Sequence, residues 1–515
     1  MNDNSGLSTP GSIDAEEIEV RSGPRTAFEP GSFRDRNSRV FYRGDRVYRS
    51  LSPTALANWR RLQDSAVLAK RQRLGQIVGT REAEALEGTV SAGVLEHDRI
   101  PFVSYPYEWC FGMLKDAALL HLDLMRDALD EDMILKDASP YNIQWNGSRP
   151  VFIDIPSFEP LRPGAAWVGY RQFCELFLYP LMLHAYKGAD YRPWLRGRID
   201  GIPADEMRRL MSWRDVARPG VLMHVSAQAA LQRRYSGNGR NVRGALANAG
   251  FKKSLIVNNV NKLYRLIEKL TPVQERTEWS DYASTHSYDS AEAGRKAEFV
   301  REAAASQRWK LGWDLGCNTG DYSRLLAEHC DCVVAMDGDP QAIEALFQRE
   351  KTNAGRILPL VINFGDASPN QGWLGTERKG LAERGRPELT LCLALVHHIV
   401  ITANIPLLQF IGWLADLGTS VVIEFVGRDD EMVQVLLQNR EDQYQDYHEE
   451  AFRSILVSRF DICNEQVLKG GRRKIFFAKP RLCERPKLVP SVFDPDRGAI
   501  EQVRFALFSN DVAAG

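Results

Sequence analysis

Asp314 precedes two glycines, Gly316 and Gly320, in WDLGCNTGDYSRLL (313–326), which reads as strand, glycine loop and helix. Ligands of open α/β sheets bind at the carboxyl ends of strands, beside the point where strand order reverses. Gly316 and Gly320 permit positive φ and a close approach of backbone to ligand, with Cys317 and Asn318 between them. The spacing is GxxxG rather than the GxGxxG of dinucleotide sites, so no further glycine is there to receive a pyrophosphate. Asp314 would repel a phosphate. It suits a cationic ligand, such as a sulfonium that also carries an ammonium group. CVVAMDGD (332–339) ends a second strand on Asp337, where a carboxylate accepts hydrogen bonds from ribose hydroxyls. A third strand is followed by Asn363, Phe364, Gly365, Asp366 and Ala367. An acid plus a small residue can hold an adenine amino group there and leave room for the ring.

LCLALVHHIV (391–400) puts His397 and His398 just past a fourth strand end. One of them is a candidate general base or substrate-positioning group; the alternative is that the pair packs or caps the next helix. Glu424 stands among apolar residues in VVIEFV (421–426), where it either orients substrate or pairs with a structural Arg. Upstream, Tyr282, Tyr288 and Lys296 precede the first strand, and the charged, aromatic run 427–456 is expected to lie over the site as a lid.

The elements that hold these residues follow from periodicity. Strands are expected at 311–315, 332–337, 357–362, 389–394 and 420–426, with helices at 321–329, 340–349 and 404–416 between them. That alternation implies a parallel sheet with helices on both faces. Runs 461–468 and 473–480 flank Lys469-Gly470-Gly471-Arg472 and read as an antiparallel hairpin closing one sheet edge.

In this order the segments resemble the motifs of class I S-adenosylmethionine-dependent methyltransferases, over residues 301–480. The resemblance implies an α/β Rossmann-like, seven-stranded sheet and S-adenosyl-L-methionine as cofactor. It places Asp314, Gly316, Cys317, Asn318 and Gly320 at the methionine end, Asp337 at the ribose, and Gly365, Asp366 and Ala367 at the adenine. Strict family patterns often carry a polar residue where Ala394 and Leu395 stand here, so the nucleophile type stays open. A Rossmann-like domain with another nucleotide and a non-catalytic nucleotide-binding scaffold are the alternatives. Methyl transfer from a sulfonium is an in-line displacement, in which alignment and water exclusion are the main tasks of the protein.

A second informative stretch is LKDASPYNIQWNGSRPVFIDIPSFE (135–159). Asp137 and Asn142 are five apart and Asp154 ends the next strand, the order of the catalytic Asp, metal-binding Asn and metal-binding Asp of kinase-type phosphotransferases. The stretch resembles their catalytic and metal loops, and SYPYEWCFGML (104–114) resembles the hinge and the start of the following lobe. It departs from them in Lys136, in Ile155-Pro156 after Asp154, and in lacking a glycine-rich phosphate loop before residue 100; Arg49 or Lys70 would have to substitute for the strand lysine. The expectation is a degenerate kinase-like α+β domain with a recognition or scaffold role. An active phosphotransferase is the alternative, as is an Asp and Asn that only cap turns. The whole arrangement resembles nodulation-type bacterial methyltransferases, which implies a cytoplasmic enzyme acting on a small metabolite or carbohydrate.

The expected divisions are a disordered tail (1–35), the kinase-like domain (36–235), a linker and helical segment (236–300), the methyltransferase domain (301–480) and a C-terminal extension (481–515). The chain has 515 residues, 44% hydrophobic and 26% charged, with a formal net charge of −1, so no global charge favours nucleic acid or a membrane surface. No apolar run approaches the roughly 20 residues that cross a bilayer. Eight cysteines occur without CxxC pairs, and Cys330 and Cys332 are poorly placed for zinc or a mutual disulfide; no resident metal is expected.

Overall fold

The computed structural model describes residues 26–84, 91–230, 252–273, 290–353, 355–438 and 443–481. Its first part is an antiparallel sheet of β1 (Thr26–Phe28), β2 (Ser38–Arg43), β3 (Arg46–Leu51), β4 (Thr80–Ala83) and β5 (Gly93–His97), in the order β1-β2-β3-β5-β4. The β2–β3 hairpin turns on Gly44 at φ 60°. Residues 26–35 were expected to be disordered; instead β1 pairs with β2 and Pro30–Arg34 forms a 3-10 turn, because Phe28 and Phe41 meet across the sheet. Two helices follow β3, α1 (Pro53–Gln63) and α2 (Ala66–Arg73). Ser52 caps the first by accepting from the Ala55 N–H at 3.2 Å, with Pro53 in its opening turn.

The long helix α3 (Phe111–Asp130) follows, with most of its apolar residues buried. It leads into β6 (Met133–Leu135), the hairpin β7 (Ile143–Asn146) and β8 (Arg149–Phe152), and β9 (Phe158–Pro160). Residues 170–230 are largely helical, with α4 (Tyr170–Phe173), α5 (Tyr179–Lys187), α6 (Arg192–Gly197) and α7 (Ala204–Leu210). The segment expected as linker and helix (236–300) holds a long helix. This helix, α8 (Lys253–Lys269), buries Ile256, Val260, Leu263 and Ile267, and ties to α3 through Lys115 and the Leu270 carbonyl at 2.9 Å. Residues 231–251 lie outside the described residues, as do 1–25 and 482–515 of the expected tail and extension.

After α9 (Ser290–Ala305), the second part alternates as the sequence implies: β10 (Trp309–Leu315), α10 (Asp321–Ala327), β11 (Cys330–Asp337), α11 (Pro340–Asn353), β12 (Ile357–Val361), β13 (Leu389–Cys392), α12 (Leu407–Leu417) and β14 (Ser420–Val426). α13 (Glu431–Leu437), α14 (Glu449–Arg459) and the hairpin β15 (Phe460–Leu468) and β16 (Arg473–Pro480) follow. The seven strands run in the order β12-β11-β10-β13-β14-β16-β15, with β10 to β14 parallel and β16 antiparallel to both neighbours. The order reverses between β10 and β13, so the crevice lies beyond Leu315 and Cys392. Every residue of β14 is buried, as expected of a strand covered on both faces.

The run 427–456 is not a free lid. Tyr447 donates to the Val426 carbonyl at 2.8 Å, and Phe452 packs on Phe425 and Phe476, so these two rings anchor the run in the core.

One hydrophobic core runs through both parts. Trp145 meets Phe347 edge-on at 5.6 Å and Phe102 meets Trp313 at 6.1 Å. Arg384 reaches from the segment between β12 and β13 to Glu108, with contacts of 2.6 and 2.7 Å, and both side chains are almost completely buried. Glu344 on α11 accepts from the Gly112 N–H in the first turn of α3 at 2.8 Å, where a helix has an unsatisfied donor.

Candidate cofactor and transfer site

The glycine loop is bent by three left-handed residues, Gly316 at φ 73°, Asn318 at φ 49° and Gly320 at φ 78°. It is tied to the neighbouring strand, since the Gly316 and Cys317 N–H groups both donate to the Met336 carbonyl, at 2.8 and 3.1 Å. Asp314 is buried beneath it and accepts a 2.6 Å hydrogen bond from the Ser323 hydroxyl. Burial pushes its carboxyl up to about 7; the Ser323 hydroxyl and nearby Lys296 oppose that rise, and the Asp337 charge adds to it. A cationic ligand would relieve this group.

Asp337 ends β11 and accepts from the Asn318 N–H and the Asp339 N–H, each at 2.8 Å. One carboxylate therefore fixes the loop of β10 against the end of β11. Burial raises its pKa against these backbone donors. Gly365 and Asp366 lie in a short 3-10 turn, and the Asn363 side chain accepts from the Gly365 N–H at 2.9 Å. The Asp366 carboxylate is exposed and takes a bidentate contact from Arg196 of α6, at 2.9 and 3.0 Å, which lowers its pKa. The sequence did not suggest Arg196, because the two residues lie far apart in the chain. Phe364 and Ala367 line an apolar pocket of about 410 Å³ with Ile399, Phe410 and Trp413; Asp314 and Asp337 stand outside its walls.

On the transfer side, His397 and His398 follow β13 at the start of a π-helical turn, with ring centroids 4.2 Å apart. Burial, His398 and Arg473 hold the His397 imidazole well below its usual value, and burial brings His398 to about 4. His397 Nδ1 is buried without a hydrogen-bond partner among the described residues. Glu424 takes the ion-pair course. Its Oε2 accepts from Lys296 Nζ at 2.6 Å and from the Ala394 N–H at 2.8 Å, while Arg473 lies 3.6 Å from Oε1. Arg473 also binds Asp430 at 2.8 and 3.0 Å. Lys296 further lies over the Tyr322 ring at 5.0 Å. Ala394 has φ 49°, an unfavourable value for a residue with a Cβ, and Glu424 holds it there. Sequence reasoning named Lys296 and Glu424 separately but missed their pairing, Arg473, Asp430 and the strain at Ala394. Tyr282 and Tyr288 lie outside the described residues.

Asp137, Asn142 and Asp154 are brought together on a cavity of about 860 Å³ between the first sheet and the loop that follows β6. Of the two substitute cations, Arg49 lies there and binds Asp154 at 2.8 Å; Lys70 is elsewhere, on Asp127. Burial, and then the Asp154 charge, raise the pKa of Asp137. Among the described residues no group of three or more His, Cys, Asp or Glu is placed to hold a metal ion, and no helix is long and apolar enough to cross a membrane.

No family model matches the chain. It is 34% identical over 466 residues to the nodulation protein NoeA of Rhizobium meliloti (strain 1021), an alignment covering 89% of this chain and 97% of that protein. Among solved structures it is similar to the N-methyltransferase NodS of Bradyrhizobium japonicum WM9, at 15% identity and TM-score 0.28, covering 38% of this chain and 99% of that one. It is also similar to the magnesium protoporphyrin IX methyltransferase of Synechocystis PCC 6803 with bound S-adenosylmethionine, at 16% identity and TM-score 0.25, covering 36% and 81%.

Proposed function

The chain belongs to the family of the nodulation protein NoeA, and from that premise we propose that it is an S-adenosylmethionine-dependent methyltransferase acting on a small-molecule acceptor, a carbohydrate or another metabolite. The observation that carries the reading is the joint between two strands. Asp314 sits buried under the left-handed Gly316–Gly320 loop, and Asp337 clamps that loop from the adjacent strand end. The residues fit the cofactor: a buried carboxyl near neutral titration favours a cation, and the loop admits close backbone approach.

When bound, S-adenosylmethionine supplies a methyl group on a sulfonium centre. Asp314 then faces the cationic end, Asp337 the ribose, and Ala367 leaves room for the adenine. Asp366, held by Arg196, is the edge of that position and not a free hydrogen-bonding group. His397 and His398 stay neutral at neutral pH, so on this reading they accept a hydrogen bond from the incoming nucleophile and orient it, with no full proton removal. Glu424 positions the strand end at Ala394 and holds Lys296. The first domain is read as kinase-like in arrangement, with its loop at Asp137–Asn142 serving recognition.

Calorimetry of the intact protein with S-adenosylhomocysteine tests the cofactor. We expect binding in the wild type and a loss of about tenfold or more in Asp337→Ala. Absence of binding, or equal binding by the variant, counts against the reading. Mass spectrometry of cell extract incubated with isotope-labelled cofactor then identifies the acceptor that gains the methyl group.

A further inference from the structure

We propose that the tip of a loop between β12 and β13 is a membrane-surface anchor, which rests the protein on an anionic lipid bilayer without crossing it.

The tip is Trp373-Leu374, and both side chains are 63% exposed. A single exposed apolar residue is ordinary; two large ones side by side at a turn mark a contact surface. The loop that carries them is firmly built. At its stem the Gln371 N–H donates to the Arg378 carbonyl at 2.8 Å, and the Arg378 N–H donates back to the Gln371 carbonyl at 3.1 Å. Near the tip, the Thr376 hydroxyl and N–H both donate to the Trp373 carbonyl, at 2.8 and 3.1 Å. Gly372 at φ 84°, Leu374 at φ 53° and Gly375 at φ 69° make the bend. Two of these positions have the glycine that such a backbone favours; Leu374 does not, and is held in a region disfavoured for a residue with a Cβ. A leucine that is strained and also exposed returns nothing to the core. Strain of that kind marks a position kept for a role outside the fold.

The surroundings of the tip select its partner. The turn Pro30–Arg34 is laced to this loop, because Arg34 binds Glu377 at 2.7 Å and Lys379 Nζ reaches Glu29 at 2.7 Å. That turn adds Phe33, 37% exposed, with the Arg34 guanidinium 5.2 Å over its ring. Arg36 and Arg39 follow, both exposed. Across 28–39 and 371–380, five Arg and Lys residues stand against three acids, and two of those acids, Glu29 and Glu377, are largely covered. The corner is therefore positive although the whole chain carries −1. Guanidinium groups flanking an uncharged apolar tip complement a surface whose phosphates lie over hydrocarbon, and a Trp ring suits the boundary between the two. The turn belongs to the first domain and the loop to the second, so the protein would meet the bilayer at the joint between them.

The test is co-sedimentation of the full chain with vesicles of phosphatidylcholine alone, and with vesicles in which about one-third is phosphatidylglycerol. We expect binding to the mixed vesicles that exceeds binding to phosphatidylcholine and falls as salt is added. Trp373→Ser combined with Leu374→Ser should weaken it about tenfold or more, and Arg36→Gln about fivefold. Absence of binding to the mixed vesicles, or undiminished binding by the Trp373 and Leu374 variant, overturns the proposal. So does a tip that holds a second copy of the chain instead, seen as a vesicle-independent dimer that the same variant loses. Hydrogen exchange on the unaltered protein covers a variant that does not fold. Protection by mixed vesicles should fall on 371–376; protection only elsewhere overturns the proposal.

Discussion

Asp314 is half-titrated near neutral pH because burial disfavours its charge. A cationic ligand favours the charged form, so cofactor binding should expel a proton between about pH 6 and 7. Calorimetry in two buffers of different ionisation enthalpy measures this, and S-adenosylmethionine should release more than S-adenosylhomocysteine, which lacks the sulfur charge. The same carboxyl has a sign in folding. Its folded pKa lies above the ordinary carboxyl value, so its contribution to stability is full at low pH and is lost as pH rises through about 7. Asp314→Asn should therefore flatten the pH dependence of denaturant midpoints across that window. The histidines make a contrasting prediction. With His397 held well down and His398 near 4, the single-turnover rate of the preformed cofactor complex, from which the Asp314 proton has already gone, should show no titration between about pH 6 and 8. A rise with a midpoint near the ordinary imidazole value would count against an orienting role. Lys296→Met leaves Glu424 with Arg473 at 3.6 Å as its remaining cation, and should cost about 3 kcal/mol in urea unfolding.

The joint between β10 and α10 depends on residues without a side chain. Alanine at Gly320 would take φ 78° and put its Cβ 2.5 Å from Leu346 Cδ1. We expect Gly320→Ala to destabilise by about 1–3 kcal/mol and to weaken S-adenosylhomocysteine binding, read by thermal shift with and without ligand. Much of this domain is legible in the sequence because each parallel strand is a near-continuous apolar run and each helix has its own punctuation. Val421 to Val426 is one such run, and Gly418 closes the helix before it at φ 73°. The strands expected at 357–362 and 420–426 are observed as Ile357–Val361 and Ser420–Val426. Periodicity misses pairings made only by tertiary approach. Glu424 looked equally suited to substrate or ion pair, and only the fold brings Lys296 to it across 128 positions. The run 427–456 read as a lid because its charges dominate its composition; Tyr447 and Phe452, the residues that anchor it, are few.

Glu108 and Arg384 join the two parts by a buried ion pair, and the Arg384 guanidinium also lies over Tyr105 at 4.8 Å. Truncating one side leaves a buried charge alone, so Arg384→Leu should cost about 3–5 kcal/mol and split thermal unfolding into two calorimetric transitions. A single transition with an unchanged midpoint would show that the pair does not couple the halves. Another junction bears on fragments. At the turn between β7 and β8, the Ser148 hydroxyl donates to the Ile357 carbonyl at 3.2 Å, and a Cβ on Gly147 would come 2.1 Å from the Gly355 carbonyl oxygen. That turn rests on β12, the outermost strand at one side of the seven-stranded sheet. A strand left open in this way is a template for another copy. A polypeptide cut down to the seven-stranded half loses the Ser148 contact at the start of that edge, and is expected to self-associate more than the full chain, read by light scattering against concentration.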